Sequence, residues 1–358
     1  MSRFLLIDIG AGTMDILYYD SSSQIHYKAV VKSPVRTLAE TVAAIPGHLL
    51  VTGTEMGGGA VSNILEERAR SHEAASSVSS AATIHHDMER VRSLGIRVVG
   101  DQTADEMRND TKYRHVVLGD LQPERLEQIV TGFGVPFAFD VVGACAQDHG
   151  VPPPGMSHLD YRHKIFTAAL NGNPCPHTLL YESGTVPETM NRLSSIASCA
   201  GTLPTNEVYV MDSGMAAIVG ASMDISARSK ENIIVMDVAT SHTLCAALTS
   251  DEIAGFFEYH TRDITKDRME QLIPDLANGR ISHEQILQEG GHGAYLRKSF
   301  GFDAVDILIA TGPRRGILEG SHLPITFGAP GGDNMMTGTI GLLESIRRHK
   351  GLEPIRIL

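Results

Sequence analysis

The sequence predicts an α/β fold. Short apolar runs rich in Ile and Val alternate with helical patterns, and Gly-containing turns separate them. Two of the apolar runs end in Asp followed by small and hydroxyl residues. At 358 residues the chain exceeds one ordinary core, so two domains, with room for a third, are expected.

In chain order, strands are expected at residues 4–9, 49–51, 96–99, 116–118, 137–142, 208–211, 233–238 and 307–310. Helices are expected between them. Thr83 precedes a helical pattern over 84–91, with Gly95 where a C-terminal cap belongs. Pro187 suits the first turn of a helix over 188–199, with Gly201 beyond it. Thr265 and Ser282 read as N-caps of two later helices. The polar run 76–80 reads as a loop or helix lead-in. Residues 151–155, Val-Pro-Pro-Pro-Gly, mark either a boundary or a loop. No repeat of 20–50 residues is visible.

Composition narrows the function classes. Hydrophobic residues make up 42% and charged residues 20%, the balance of a globular chain. Lys and Arg number 30 against 42 Asp and Glu, and the net charge of -12 argues against a nucleic-acid partner. A single nucleotide is still compatible, because backbone N–H groups and a metal ion can build its site. Trp is absent and aromatics are 5%, too few for a base-stacking platform. Cys145, Cys175, Cys199 and Cys245 form no C-x-x-C pair and no clustered iron–sulfur run. The apolar N-terminal run meets Asp8 at once, so it reads as a buried strand rather than a secretory signal. No stretch approaches the ~18 apolar residues of a membrane helix. A cytoplasmic protein without a membrane partner is expected.

The sharpest chemical segment is residues 5–15, Leu-Leu-Ile-Asp-Ile-Gly-Ala-Gly-Thr-Met-Asp, followed by a second apolar run at 16–19. Strand, small-residue turn and strand make a hairpin, whereas a Rossmann Gly-rich turn opens a helix. No Gly-Lys-Ser/Thr follows, which excludes a Walker P-loop. The N–H groups of Gly10, Ala11 and Gly12 can approach phosphate oxygens, Thr13 adds a hydroxyl donor, and Asp8 can hold Mg²⁺ through water. A plain Gly-rich hairpin with Asp8 as turn acceptor would look the same. Residues 233–243 repeat the design: a buried strand, Asp237, then Ala239, Thr240, Ser241, His242 and Thr243. Two such strand ends facing one cleft would grip a metal–triphosphate from both sides.

On these two segments the sequence resembles the actin, sugar kinase and heat-shock chaperone ATPase (ASKHA) superfamily. Three further segments support the resemblance: residues 208–220 and 328–341, similar to its two connecting helices, and 307–315, similar to its adenosine motif. It implies a duplicated ribonuclease H-like, two-domain architecture with an interdomain cleft. Residues 1–225 with 330–358 would form the first domain, carrying a large insert, and 226–329 the second. Ala216, Ala217 and Gly220 would pack on Gly338 and Gly341 as a hinge. The chain also resembles a little-characterised ASKHA family labelled pyruvate formate-lyase activating-enzyme-like, on residues 56–59, 147–150 and 290–293. Radical activation needs a clustered Cys site, which the scattered cysteines do not supply.

The resemblance implies residue roles. Asp8, Gly10, Ala11, Gly12 and Thr13 correspond to the first phosphate loop; Asp237, Ser241, His242 and Thr243 correspond to the second. Asp8 and Asp237 would serve the metal. Asp212 would position the attacking water or accept a proton, although it also suits a helix N-cap. Thr311, Gly312 and Arg315 would meet the adenosine, with Arg315 stacking on adenine. The sequence departs from the pattern in three places: Ala239 replaces a glycine, His242 replaces a hydroxyl residue, and Thr311 replaces the first glycine of a pair. Other candidates are the pocket residues Gln147, Asp148 and His149, an anion-binding turn at Met56-Gly57-Gly58-Gly59, and His292. His85-His86-Asp87 lacks a third metal ligand, and Cys175-Pro176-His177 reads as a turn.

The expected function is Mg-ATP binding and hydrolysis with cleft closure, acting on an unidentified protein partner or small molecule. The alternatives are a small-molecule kinase whose region 50–205 shapes the acceptor site, and a nucleotide sensor or scaffold without turnover. Nucleotide consumption dependent on one metabolite separates the first alternative, and binding without turnover the second.

Overall fold

The computed structural model describes residues 2–355. Strands β1 (Arg3–Ile9), β2 (Thr13–Asp20) and β3 (Ile25–Lys32) form an antiparallel meander. An insert follows, with α1 (Pro34–Ala44), β4 (His48–Gly53), α2 (Ala60–Ala69), β5 (Ala74–Ser77), α3 (Val78–Ala81), α4 (Met88–Ser93), β6 (Ile96–Val99), α5 (Asp101–Met107), β7 (Tyr113–Leu118) and α6 (Pro123–Gly132). Its strands pair in parallel in the order β6-β5-β4-β7. The chain then adds β8 (Val141–Ala146), α7 (His158–Gly172), β9 (Leu180–Glu182), α8 (Asn191–Ala200) and β10 (Glu207–Asp212). The first large sheet thus runs β3-β2-β1-β8-β10-β9.

Helix α9 (Ser213–Ser222) leads to β11 (Asn232–Val238), β12 (His242–Thr249) and β13 (Glu252–His260). After α10 (Lys266–Ala277) and α11 (His283–Gln288) come β14 (Gly293–Leu296), β15 (Ile307–Thr311), β16 (Ile325–Phe327) and α12 (Thr337–His349). This sheet runs β14-β13-β12-β11-β15-β16. In each large sheet a three-strand meander continues into two parallel strands, so β3-β2-β1-β8-β10 corresponds to β13-β12-β11-β15-β16. That duplicated, ribonuclease H-like order is the ASKHA architecture.

The duplication extends to single residues. β1 and β11 are buried at every position except the first and the aspartate. β2 and β12 are both buried except at their two ends. Such continuous apolar strands belong to sheets covered on both faces. Their positions put Asp8 and Asp237 at equivalent places, one residue before each strand ends.

Helices α9 and α12 cross almost backbone to backbone. A β-carbon on Gly220 would lie 1.8 Å from the Thr337 carbonyl oxygen, and one on Gly341 1.8 Å from that of Ala216. Their small residues therefore permit the crossing.

Several local expectations shift. The helix expected over 84–91 starts at Met88, because the Asp87 carboxylate accepts from the N–H groups of Glu89 and Arg90. Thr83 instead accepts from the Met56 N–H at 3.1 Å. The helix expected from 188 starts at Asn191, since the Pro187 carbonyl accepts from Met190 N–H in a preceding turn. The strand expected over 137–142 runs from Val141 to Ala146. Within 76–80, Ser76 and Ser77 end β5, and Ser77 caps α3. Thr265 and Ser282 cap their helices as expected. Among the described residues, no helix is long and apolar enough to cross a membrane.

Candidate functional site

The two Asp-ended strands turn into matching hairpins. The Gly10 N–H donates to the Thr13 carbonyl at 3.0 Å, and the Ala239 N–H donates to the His242 carbonyl at 3.0 Å. Ala239 keeps a negative φ, so the alanine that replaces a glycine there carries no left-handed strain. Gly10 and Gly12 do not adopt positive φ either. Gly12 is needed for approach: a β-carbon there would lie 2.9 Å from Thr240 Oγ1. The hairpins of the two sheets therefore touch.

Beside this contact opens a cavity of about 930 Å³, within the usual size range of small-molecule sites. Asp8, Gly10, Ala11, Gly12, Thr13, Asp237, Ser241, His242 and Gly312 all line it. Gly312, at the turn after β15, has φ +88°, and a β-carbon there would lie 2.7 Å from Asp237 Oδ1. Only glycine fits that position.

The remaining candidates face elsewhere. The Thr311 hydroxyl donates to the Met236 carbonyl, and Thr243 Oγ1 lies 3.0 Å from Thr261 Oγ1. Arg315 donates to the Gly328 carbonyl and lies over the Phe327 ring. Asp212 is buried; it accepts from the Met215 N–H as the N-cap of α9 and pairs with Arg162 at 3.0 Å. None of these four lines the cavity.

Three carboxyls crowd the hairpin end of the cavity. Burial pushes Asp8 up to about 6, while neighbouring Cys145 and Ser213 pull it down. Asp15, opposite Asp8 across the β1–β2 pair, rises to about 8 through burial and then the Asp8 charge. Asp237 rises to about 7 for the same two reasons. Asp8 Oδ1 and Asp15 Oδ1 are buried without a hydrogen-bond partner. A cluster of oxygen donors with mutual repulsion and orphaned oxygens fits a hard divalent cation such as Mg²⁺. Asp15 stands inside the quoted motif, and its place opposite Asp8 only becomes visible with the strand register.

A buried ion network spans the cavity's far wall. Arg162 on α7 pairs with Asp212 of the first sheet and with Glu258 of the second. Burial opposes its charge, but Glu258 and Asp212 hold the guanidinium above its ordinary range. Glu258 is likewise held far below the ordinary carboxylate range by Arg162, against burial. Gln147 Nε2 donates to Glu258 Oε1 at 2.5 Å. The sequence reading missed both ionic partners of this wall. Glu258 had a signal, as a lone acid inside the apolar β13; Arg162 had none.

Histidines fill the corner beside Glu258. One ligand nitrogen each from His149, His242 and His292 falls within 4.8 Å of the others. His292 Nε2 lies 3.1 Å from His260 Nε2, and its Nδ1 lies 3.6 Å from Glu258 Oε1. Burial holds His149 well below the ordinary histidine range and lowers His242 to about 3.

The insert supplies the opposite end. Met56, Gly57, Gly58 and Gly59 line the cavity before α2. Gly57 packs on Arg192, whose guanidinium grips Asp120 at 2.8 and 2.9 Å and donates to the Gln147 carbonyl. His86 bonds Glu55 at 2.9 Å and His158 at 3.1 Å, so it has polar partners without a metal. Asp148 accepts from the Gly150 and Leu193 N–H groups and serves the loop's shape. Cys175 leads into a short turn through Pro176 and His177.

A family profile described as "Putative pyruvate format-lyase activating enzyme (DUF1786)" matches residues 56–317. No curated protein matches the chain. Among solved structures, MreB5 of Spiroplasma citri bound to ADP is similar at 10% identity, covering 98% of both chains with a TM-score of 0.35. The activator of the 2-hydroxyisocaproyl-CoA dehydratase from Clostridium difficile, with bound ADPNP, is similar at 9% identity, covering 99% of both chains with a TM-score of 0.30. A PilM–PilN type IV pilus biogenesis complex is similar at 12% identity, covering 98% of both chains with a TM-score of 0.37. Likenesses of this degree assign no activity.

Proposed function

The chain belongs to the DUF1786 family, and we propose that it is an ATPase that binds Mg-ATP between its two aspartate-ended hairpins. The observation that carries the reading is the contact of Gly12 with Thr240 at the mouth of a cavity lined by Asp8 and Asp237. In this reading residues 1–225 with 330–358 form one lobe and 226–329 the other, and α9 crossing α12 serves as their hinge. The N–H groups of Ala11 and Gly12 and the Thr13 hydroxyl bind phosphate oxygens from one side, while the Gly10 N–H closes the turn on the Thr13 carbonyl. Ser241 and His242 act from the other, and the turn at Gly312 serves the adenosine, while Thr243, Thr311 and Arg315 brace this frame through Thr261, the Met236 carbonyl and the Gly328 carbonyl. Asp8 and Asp237 hold Mg²⁺ through water, where its charge neutralises the phosphates. Asp212 is the candidate acid, although its carboxylate here pairs with Arg162 and caps α9. Closure of the lobes excludes water from the transferring phosphoryl group.

Isothermal titration of the full chain with Mg-ATP and Mg-ADP, followed by a phosphate-release assay, tests the reading. Saturable binding with turnover supports it; no binding of either nucleotide removes it. Asp212→Asn separates the roles of that residue. Lost turnover with retained binding assigns it to catalysis, whereas unchanged turnover leaves it as a helix cap.

A kinase is the second reading, motivated by how far the cavity extends. It runs from the hairpins to Glu55, Gly57 and His86 of the insert, leaving room for an acceptor beside a nucleotide. ATP consumption that depends on one added metabolite would favour this reading over hydrolysis. The name carried by the family is not supported as chemistry: Cys145 and Cys245 are buried on separate sheets, and Cys175 and Cys199 lie on neither.

A further inference from the structure

The histidine corner of the cavity has a donor set unlike that of the hairpin end. His149 follows β8 of the first sheet, while His242 opens β12 and His292 precedes β14, both of the second. All three line the cavity. His242 Nε2 and His292 Nδ1 are buried without a hydrogen-bond partner. A buried imidazole nitrogen left unbonded is costly, and two on rings whose centroids lie 4.8 Å apart call for a shared partner. No carboxylate belongs to the set itself, so a hard Mg²⁺ ion is a poor match. Nitrogen donors suit zinc and its first-row neighbours. A tetrahedral ion with bonds of about 2.0–2.1 Å asks for nitrogens about 3.3 Å apart, and one nitrogen from each ring already lies within 4.8 Å of the others.

We propose that His149, His242 and His292 bind a divalent first-row transition ion of the zinc class, which ties the two sheets together and keeps an open position toward the cavity. Three protein ligands with a fourth position free is the pattern of catalytic rather than structural zinc sites. Glu258, 3.6 Å from His292 Nδ1, adds a negative charge beside the ion. Because the ligands come from both sheets, the ion favours the arrangement in which the sheets are close. The inference does not depend on nucleotide binding, and its test contains no nucleotide.

The test is titration of the metal-free full chain with Co²⁺, read by visible absorption, with Zn²⁺ as competitor and Mg²⁺ in excess. The expected result is one Co²⁺ per chain with the intense bands of a tetrahedral nitrogen site, displaced by Zn²⁺ and unaffected by Mg²⁺. His149→Ala and His292→Gln, each checked for native circular dichroism, are expected to weaken binding by about 100-fold or more. His163→Gln, at a histidine outside the cluster, is expected to leave it intact. Added Zn²⁺ should also raise the melting temperature of the wild type but not of His292→Gln. Bands that survive in both cluster variants, displacement by Mg²⁺, or no tetrahedral spectrum would overturn the proposal.

Discussion

A β-carbon on Gly12 would lie 2.9 Å from Thr240 Oγ1 and 3.0 Å from its Cγ2, so the hairpin of one sheet rests on the hairpin of the other at a position with room only for hydrogen. Gly12→Ala is expected to push the hairpins apart and weaken Mg-ATP binding by tenfold or more, a loss of about 1.4 kcal/mol. Thr240→Ala in the same chain removes the obstructing atoms and is expected to restore most of the affinity. Titration calorimetry on the single and double variants checks this. Equal affinity in Gly12→Ala and wild type would show that the contact does not shape the site.

The crowded carboxyls predict an unusual pH response. Asp8, Asp15 and Asp237 have folded values of about 6, 8 and 7, against 3.8 as the ordinary value. The folded chain therefore binds more protons than the unfolded one between pH 4 and 8. Their stabilising contribution is full below pH 4 and is lost as pH rises through 6 to 8. Asp15→Asn cannot ionise, so it is expected to match wild type near pH 4 and exceed it at pH 8.5. A gain of about 1 kcal/mol there would raise Tm by about 2 °C. Thermal melts of both chains across this range check the sign. Mg²⁺ is expected to narrow the difference, since a cation relieves the same repulsion.

The α9–α12 crossing admits no side chain. Gly220→Ala or Gly341→Ala places a methyl against a backbone carbonyl, where no rotamer change relieves the clash. Each is expected to destabilise the chain by about 3 kcal/mol or more. Gly132→Ala, with nothing within 4 Å of the added carbon, is the neutral control. Denaturant unfolding separates the two outcomes.

Arg162 holds two carboxylates from different sheets. Arg162→Met leaves Asp212 and Glu258 buried and unpaired, and is expected to cost about 3–5 kcal/mol. Arg162→Met with Glu258→Gln and Asp212→Asn removes the stranded charges and is expected to recover much of that loss. Chemical denaturation of the two chains checks whether the pair or its stranded charges govern the cost.

The parts of the fold that were legible in the sequence are those fixed by neighbouring residues. β1 and β11 read clearly because sheets covered on both faces need unbroken apolar strands, and the aspartates one residue before their ends mark the turns. The small residues of α9 and α12 foretold a close crossing. The insert's parallel sheet was not legible: β5 is Ala-Ala-Ser-Ser, which has no strand propensity and is held by its neighbours β4 and β6. The histidine corner was not legible either. His149, His242 and His292 come from three distant segments, and only the packing of the sheets brings them together. Ala239 could replace a glycine because the hairpin turns there without positive φ, which the sequence does not reveal.

The most direct test of the central claim is a crystal structure of the full chain with Mg²⁺ and a non-hydrolysable ATP analogue. The account predicts polyphosphate density between residues 10–13 and 239–242, with the metal beside Asp8 and Asp237. Ordered nucleotide elsewhere, or an empty gap between those hairpins at saturating nucleotide, would contradict it.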